Sequence, residues 1–117
     1  MENSFHGRTM AALSATGGEK AHAGFYPLLD GLLRVPYNDV DAIKKLSEKH
    51  NDIVAILLEP IQGEGGIIIP DENYLSELRN ICNKFKLIIE TNNFSLRLQN
   101  SSLFRIRSVY RCLKKEN

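Results

Sequence analysis

The chain has 117 residues, a hydrophobic share of 43% and 15 Lys/Arg against 14 Asp/Glu. This is the size and apolar content of one compact domain, and the near-zero charge balance excludes a global field steering it toward nucleic acid or anionic lipid. Its longest apolar runs, Ile53–Leu58 and Ile67–Ile69, fall far short of the ~20 residues that span a bilayer, so no membrane partner is expected.

The first residues, Met1-Glu2-Asn3-Ser4-Phe5, are acidic and polar where a secretory leader is basic and then apolar; a cytoplasmic protein is the expectation. Arg8–Ala15 is rich in helix formers and runs into Gly17-Gly18, which predicts a short helix closed by a left-handed glycine cap. Glu19–Gly31 carries further glycines and a proline with weak periodicity and reads as loop, and Leu32–Tyr37 as a strand. A second helix starts at Asn38 or Asp39, either able to accept an orphan N–H bond, and buries Val40, Ile43 and Leu46 before Lys49-His50-Asn51.

Ile53–Leu58 lacks polar alternation, the pattern of a strand covered on both faces. From Asp71 to Phe85, Tyr74, Leu75, Leu78, Ile81, Cys82 and Phe85 recur at three- and four-residue spacing behind an Asp cap, which predicts an amphipathic helix. Leu87-Ile88-Ile89 follows as the next strand, completing a strand, loop, helix, strand crossover of the kind that builds parallel sheets. The expected fold is therefore α/β, an incomplete, mostly parallel sheet with flanking helices.

Charge changes character near residue 90. Residues 1–90 hold 9 Lys/Arg and 13 Asp/Glu, net −4, whereas residues 91–117 hold 6 and 1, net +5. This tail sets Arg97, Arg105, Arg107, Arg111, Lys114 and Lys115 beside Phe104 and Tyr110, the ingredients of a nucleic-acid grip. No recognition motif accompanies them, and solvated charge is the preferred reading. Cys82 and Cys112 are far apart with no Cys-x-x-Cys pair, so both read as free thiols and no metal site is expected.

Ligands of open α/β sheets gather beyond the carboxyl ends of the strands, which directs attention to Glu59-Pro60-Ile61-Gln62-Gly63-Glu64-Gly65-Gly66. Taken alone this is a glycine-rich turn with solvated glutamates, and it lacks the Lys-Ser/Thr of a phosphate loop. A second cluster, Asn3-Ser4-Phe5-His6-Gly7-Arg8-Thr9, crowds an aromatic, an imidazole and a guanidinium; such a set can stack on a planar ring and clamp a carboxylate. Residue by residue, its bland reading is a core Phe, a surface His and an Arg near a helix start.

In order and separation, these clusters with Ala15-Thr16-Gly17, Val35-Pro36-Tyr37-Asn38-Asp39 and Pro70-Asp71 resemble the class III pyridoxal-phosphate aminotransferases, most closely the acetylornithine type. The resemblance covers residues 2 to about 89, and His6, where ornithine aminotransferases tend to carry Trp, leans toward the acetylornithine branch. It implies part of the large domain of a fold-type I enzyme, a homodimeric family, and amino transfer from N-acetylornithine to 2-oxoglutarate in arginine biosynthesis. It further implies that Phe5 stacks on the cofactor ring, that Arg8 binds a substrate carboxylate, and that Glu64 pairs with a mobile arginine outside this chain.

The resemblance stops near Ile89. The family continues into Asp-Glu-Val/Ile-Gln, whose aspartate keeps the pyridine nitrogen protonated, whereas this chain reads Glu90-Thr91-Asn92-Asn93. The cofactor-bearing lysine and the phosphate-gripping loop also belong to family segments absent here, so no residue is assigned a catalytic role and the chain by itself is expected neither to bind the cofactor nor to turn over. Residues 90–117 then read as an unrelated basic tail, of the kind a frameshift or rearrangement after Ile89 would produce.

Overall fold

A computed structural model of the chain describes residues 1–91. In order these form α1 (Met10–Ala15), α2 (Glu19–His22), α3 (Val40–Lys49), β1 (Ala55–Leu58), α4 (Tyr74–Phe85) and β2 (Ile88–Thr91). The strands pair in parallel, Ala55 opposite Ile88 through Leu58 opposite Thr91, with α4 in the connection between them. The basic residues of the tail, and Cys112, lie outside the described residues.

The core forms where the apolar stripes of α3 and α4 meet the inward face of β1. Leu58 and Leu78 are fully buried, and Ile43, Ile56, Tyr74, Ile81, Cys82 and Leu87 close around them. Asp39 caps α3 by accepting the Ala42 N–H at 2.8 Å, which satisfies one of the donors that a helix start leaves open. Ser47 is buried on the same helix because its hydroxyl donates back to the Ile43 carbonyl at 2.9 Å. Burial raises the pKa of the free Cys82 thiol, opposed in part by the Arg79 charge, which keeps it a small apolar filler.

The structure departs from the sequence-based expectation at several places. α4 begins at Tyr74, not at Asp71: the Asp71 carbonyl accepts the Tyr74 N–H in a preceding turn, and neither Asp71 nor the Asn73 N-cap makes a side-chain cap. Leu32–Tyr37 is not a strand. Glu2 donates to the Val35 carbonyl at 2.9 Å, but Pro36 has no N–H to extend a ladder, and Leu32 and Leu33 are exposed. The expected loop from Glu19 contains the single turn α2, formed by Glu19-Lys20-Ala21-His22 before Gly24 takes a positive φ of 83°. Helix α1 starts at Met10 and ends at Thr16 with φ −58°, so neither Gly17 nor Gly18 serves as a left-handed cap. Gly17 instead permits a close backbone approach, since a Cβ there would collide with the Met1 carbonyl and the Asn3 nitrogen. Finally, β1 alternates instead of being covered on both faces; Ile56 and Leu58 are buried, Leu57 is half-buried, and Ala55 is exposed.

Truncating Leu78 to Ala removes a fully buried side chain at the junction of α4 with β1 and should cost about 2–5 kcal/mol of unfolding free energy. Urea denaturation of Leu78→Ala against the parent checks this, and a cost under about 1 kcal/mol would show that this junction is not the core.

Candidate functional site

Residues 1–8 have no regular structure of their own; they are held from two sides. On one side, Gly17 donates to the Ser4 carbonyl at 2.9 Å and the His6 N–H donates to the Thr16 hydroxyl at 3.0 Å. The bare Cα of Gly17 makes that approach possible. On the other side, Glu59 leaves the end of β1 with its side chain buried, one carboxylate oxygen accepting the Phe5 N–H at 2.5 Å and the other the Gly63 N–H at 3.1 Å. Two charge-assisted bonds offset the loss of hydration that burial imposes on a carboxylate.

Gln62 repeats the linkage one turn away. Its side-chain amide donates to the Glu2 carbonyl at 2.7 Å, while its own N–H and C=O pair with Ile68 at 3.0 and 2.9 Å. This antiparallel bridge closes the glycine-rich loop into a tight excursion. Gly65 then passes so close to residue 3 that a Cβ would sit 2.5 Å from the Asn3 carbonyl. Tyr37 braces the loop from below: its hydroxyl donates to the Pro60 carbonyl at 2.8 Å, and its ring meets that of Tyr74 edge-on at 5.3 Å. Burial, with a smaller contribution from the Tyr74 and Glu59 charges, drives the Tyr37 pKa up, so the phenol keeps its donor proton throughout the working range.

These linkages bring the two sequence clusters to one place. Phe5, Arg8 and Glu64 line a single open cleft of about 1020 Å³, with Tyr26, Leu28, Arg34 and the exposed Lys20 also on its wall. Phe5 is half-buried, with its backbone tied to Glu59; Arg8 and Glu64 are exposed to the cleft. Arg34 is held by the carbonyls of Ser14 and Thr16, and the Nε2 of buried His22 lies 3.1 and 2.8 Å from the carbonyls of Leu13 and Thr16, so α1, α2 and the cleft wall share one set of bonds. Glu90 sits on β2 opposite Leu57, half-buried.

The two sequence clusters contain Phe5, Arg8 and Glu64; the sequence predicts solvated glutamates in the loop, yet Glu59 is buried, and Gln62, given no role from the sequence, is buried too. The signal for both was present: a carboxylate directly after an apolar strand, and an amide three residues on, cannot be buried without partners. Arg34 and Tyr26 carried no such signal, since nothing local in the sequence shows which loop residues turn toward the cleft.

Residues 1–89 match the family model described as aminotransferase class-III. The chain belongs to the class-III aminotransferase family. Among its relatives, the acetylornithine aminotransferase of Nitrosomonas europaea is 58% identical over 84 residues, which are 72% of this chain and 21% of that protein. The acetylornithine aminotransferase of Prochlorococcus marinus is 51% identical over 92 residues, 75% of this chain and 22% of that protein. Of solved structures, the ornithine aminotransferase of Toxoplasma gondii superposes with a TM-score of 0.71 at 31% identity, over 75% of this chain and 21% of that one. The chain thus spans about a fifth of the length of these relatives. The α/β arrangement is that of part of a pyridoxal-phosphate-dependent transaminase, and one structure of the T. gondii enzyme has partial occupancy of the cofactor at its active site. No helix among the described residues is long and apolar enough to cross a membrane.

The linkage around His6 has a pH signature. Its ring is buried with neither nitrogen bonded, and its pKa falls to about 4 through desolvation, reinforced by the nearby α-amine charge. The unfolded chain takes up this proton near 6.5, so the contribution of neutral His6 is full above that pH and is lost as pH falls toward 4. The pKa difference corresponds to about 3 kcal/mol of unfolding free energy lost over that window. Denaturation series from pH 7.5 to 4 should therefore fall less steeply for His6→Gln than for the parent; parallel curves would show that His6 titrates normally in the fold.

Proposed function

We propose that residues 1–89 supply one wall of the substrate cleft of an acetylornithine-type aminotransferase, whose reaction moves an amino group from N-acetylornithine to 2-oxoglutarate. The observation that carries this reading is the convergence of Phe5, Arg8 and Glu64 on a single cleft from segments more than fifty residues apart. The acetylornithine branch is preferred over the ornithine branch because the relatives at 58% and 51% identity are acetylornithine aminotransferases, whereas the ornithine enzyme of T. gondii stands at 31%.

The residues present fit one face of pyridoxal phosphate. Phe5 offers a half-buried ring on the cleft wall, with its backbone fixed by Glu59, suited to offset stacking worth ~0.5–1.5 kcal/mol. When bound, the cofactor supplies the electron sink that lets an amino group pass between an amino acid and a 2-oxo acid. Arg8 binds a substrate carboxylate with its planar fork, a bidentate contact for which a lysine point charge is poorly shaped. Glu64 lines the same cleft, where pairing with an arginine from elsewhere in the full enzyme would let the site accept first the amino donor and then the 2-oxo acid. We assign no catalytic residue to this chain. The lysine, aspartate motif and phosphate loop that the family requires come from other segments, so the chain alone neither holds the cofactor nor turns over. The assembled enzyme is inferred to be a cytoplasmic homodimer, and residues 90–117 to be a basic segment unrelated to the transaminase fold.

Replacing the matched stretch of the N. europaea enzyme with residues 2–89 of this chain tests the reading. Transaminase activity on N-acetylornithine should survive in the chimera, and Arg8→Lys within it should raise KM for the amino donor about tenfold or more, on the scale of a lost charge-assisted bond. An unchanged KM would remove Arg8 from the site. The purified 117-residue chain should show no turnover, and measurable turnover would overturn the division of labour.

A further inference from the structure

Arg34 carries a charge that the fold orients but does not neutralise. One guanidinium nitrogen, Nη2, donates to the carbonyls of Ser14 and Thr16 and so caps the end of α1. These bonds occupy one nitrogen of the fork, whereas Nη1 and Nε make no bond among the described residues. The residue is exposed and lines the cleft. Among the described residues, the ion pairs join His50 to Asp52 and Lys84 to Glu48, so the glutamates that share the cleft, Glu2, Glu19 and Glu64, leave Arg34 unpaired. The same network sets this charge beside Phe5. Thr16, whose carbonyl lies 3.3 Å from Nη2, also accepts the His6 N–H on its hydroxyl at 3.0 Å. A single residue therefore stands between the Arg34 guanidinium and the Phe5–His6 peptide. Lys20, exposed and likewise in no ion pair among the described residues, is on the same cleft wall.

We propose that Arg34, with Lys20, forms an oxyanion-binding subsite of the cleft that takes a carboxylate or a phosphate group of a small ligand. An exposed cation that serves only solubility keeps its rotamers free. Arg34 is instead anchored by backbone carbonyls, so a ligand meets a fork whose side-chain entropy is already lost. Capping α1 does not account for the rest of the fork, since neutral carbonyl partners leave the positive charge on the cleft wall. Nη1 and Nε supply charge-assisted donors to a ligand oxygen, and the Lys20 ammonium adds a point charge that needs no fixed geometry. The subsite is separate from Arg8, which precedes α1, whereas Arg34 is bonded at the far end of that helix. The proposal does not draw on the amino-transfer reading and stands or falls separately from it.

Titration of the full 117-residue chain, followed by heteronuclear NMR, reads the subsite through the Arg34 Nε–H signal and the Thr16 and Gly17 amides. Inorganic phosphate and glutarate are the two probes, each compared with sodium chloride at equal ionic strength. At least one probe should give a saturable shift in the millimolar range, the scale of a few exposed charge-assisted contacts. Saturation by phosphate alone assigns the subsite to a phosphate group, by glutarate alone to a carboxylate, and by both to either oxyanion; each supports the proposal. Read at Thr16 and Gly17, Arg34→Met should weaken binding about tenfold or more and Lys20→Met about threefold, with the α4 amides around Leu78 unmoved as the control for an intact fold. Shifts no larger than those in chloride overturn the proposal, as does an unchanged midpoint in Arg34→Met. If Arg34→Met moves the α4 amides, Lys20→Met decides, because the Lys20 side chain makes no bond among the described residues: the threefold loss supports the subsite, and an unchanged midpoint overturns it.

Discussion

The site depends on one buried carboxylate. Glu59 follows β1 at the point where the sheet ends, and it accepts an N–H from Phe5, 54 residues earlier in the chain, and another from Gly63 in its own loop. An isolated carboxylate in that position would be expensive to bury, and each bond it accepts is needed to offset the cost. The two segments it joins carry Phe5, Arg8 and Glu64. Without it, the segment at residues 2–8 would be attached to the sheet side by the Gln62 bond to Glu2 and the single Val35 bond, and the ring of Phe5 would lose its fixed backbone.

The glycines follow from the same constraint. For the segment at residues 2–5 to lie between Thr16 and the 59–66 loop, backbone must approach backbone without intervening side chains. Gly17 and Gly65 are the two places where a Cβ would collide with residues 1–3. Strain is accepted nearby: Asn3 has φ 55° and Ile67 φ 55°, the latter a β-branched residue in left-handed backbone at the end of the loop. Such conformations cost of order 1–3 kcal/mol and persist only where surrounding bonds over-determine them. The Gln62–Ile68 bridge and the bond from the Ile67 N–H to the Gly63 carbonyl do so here.

Periodicity made the fold's framework legible. The apolar stripe from Tyr74 to Phe85 and the run ending at Leu58 are strong local signals, and both elements are present where those signals lie. What the sequence could not reveal was non-local. Leu32–Tyr37 has strand composition but no partner beyond one rung, so composition misled. Asp71 looks like a cap, yet the turn before α4 satisfies its backbone differently. The continuous apolar run at 53–58 reads as doubly covered because the run belongs to a fold larger than the chain; among the described residues, one side of β1 lacks its cover. The candidate site was legible through motif order alone. The buried Glu59 and Gln62 clamp that assembles it became visible only with coordinates, because its bonds cross fifty to sixty residues.

The most direct measurement of the Glu59 clamp is amide hydrogen exchange in the full chain after Glu59→Ala. Loss of the acceptor should speed exchange at Phe5 and Gly63 at least tenfold, roughly 1.4 kcal/mol of lost local protection, while the amides of α4 around Leu78 stay protected. Unchanged protection at Phe5 and Gly63 with α4 intact would show that the two segments are held together without Glu59, and would contradict the central claim.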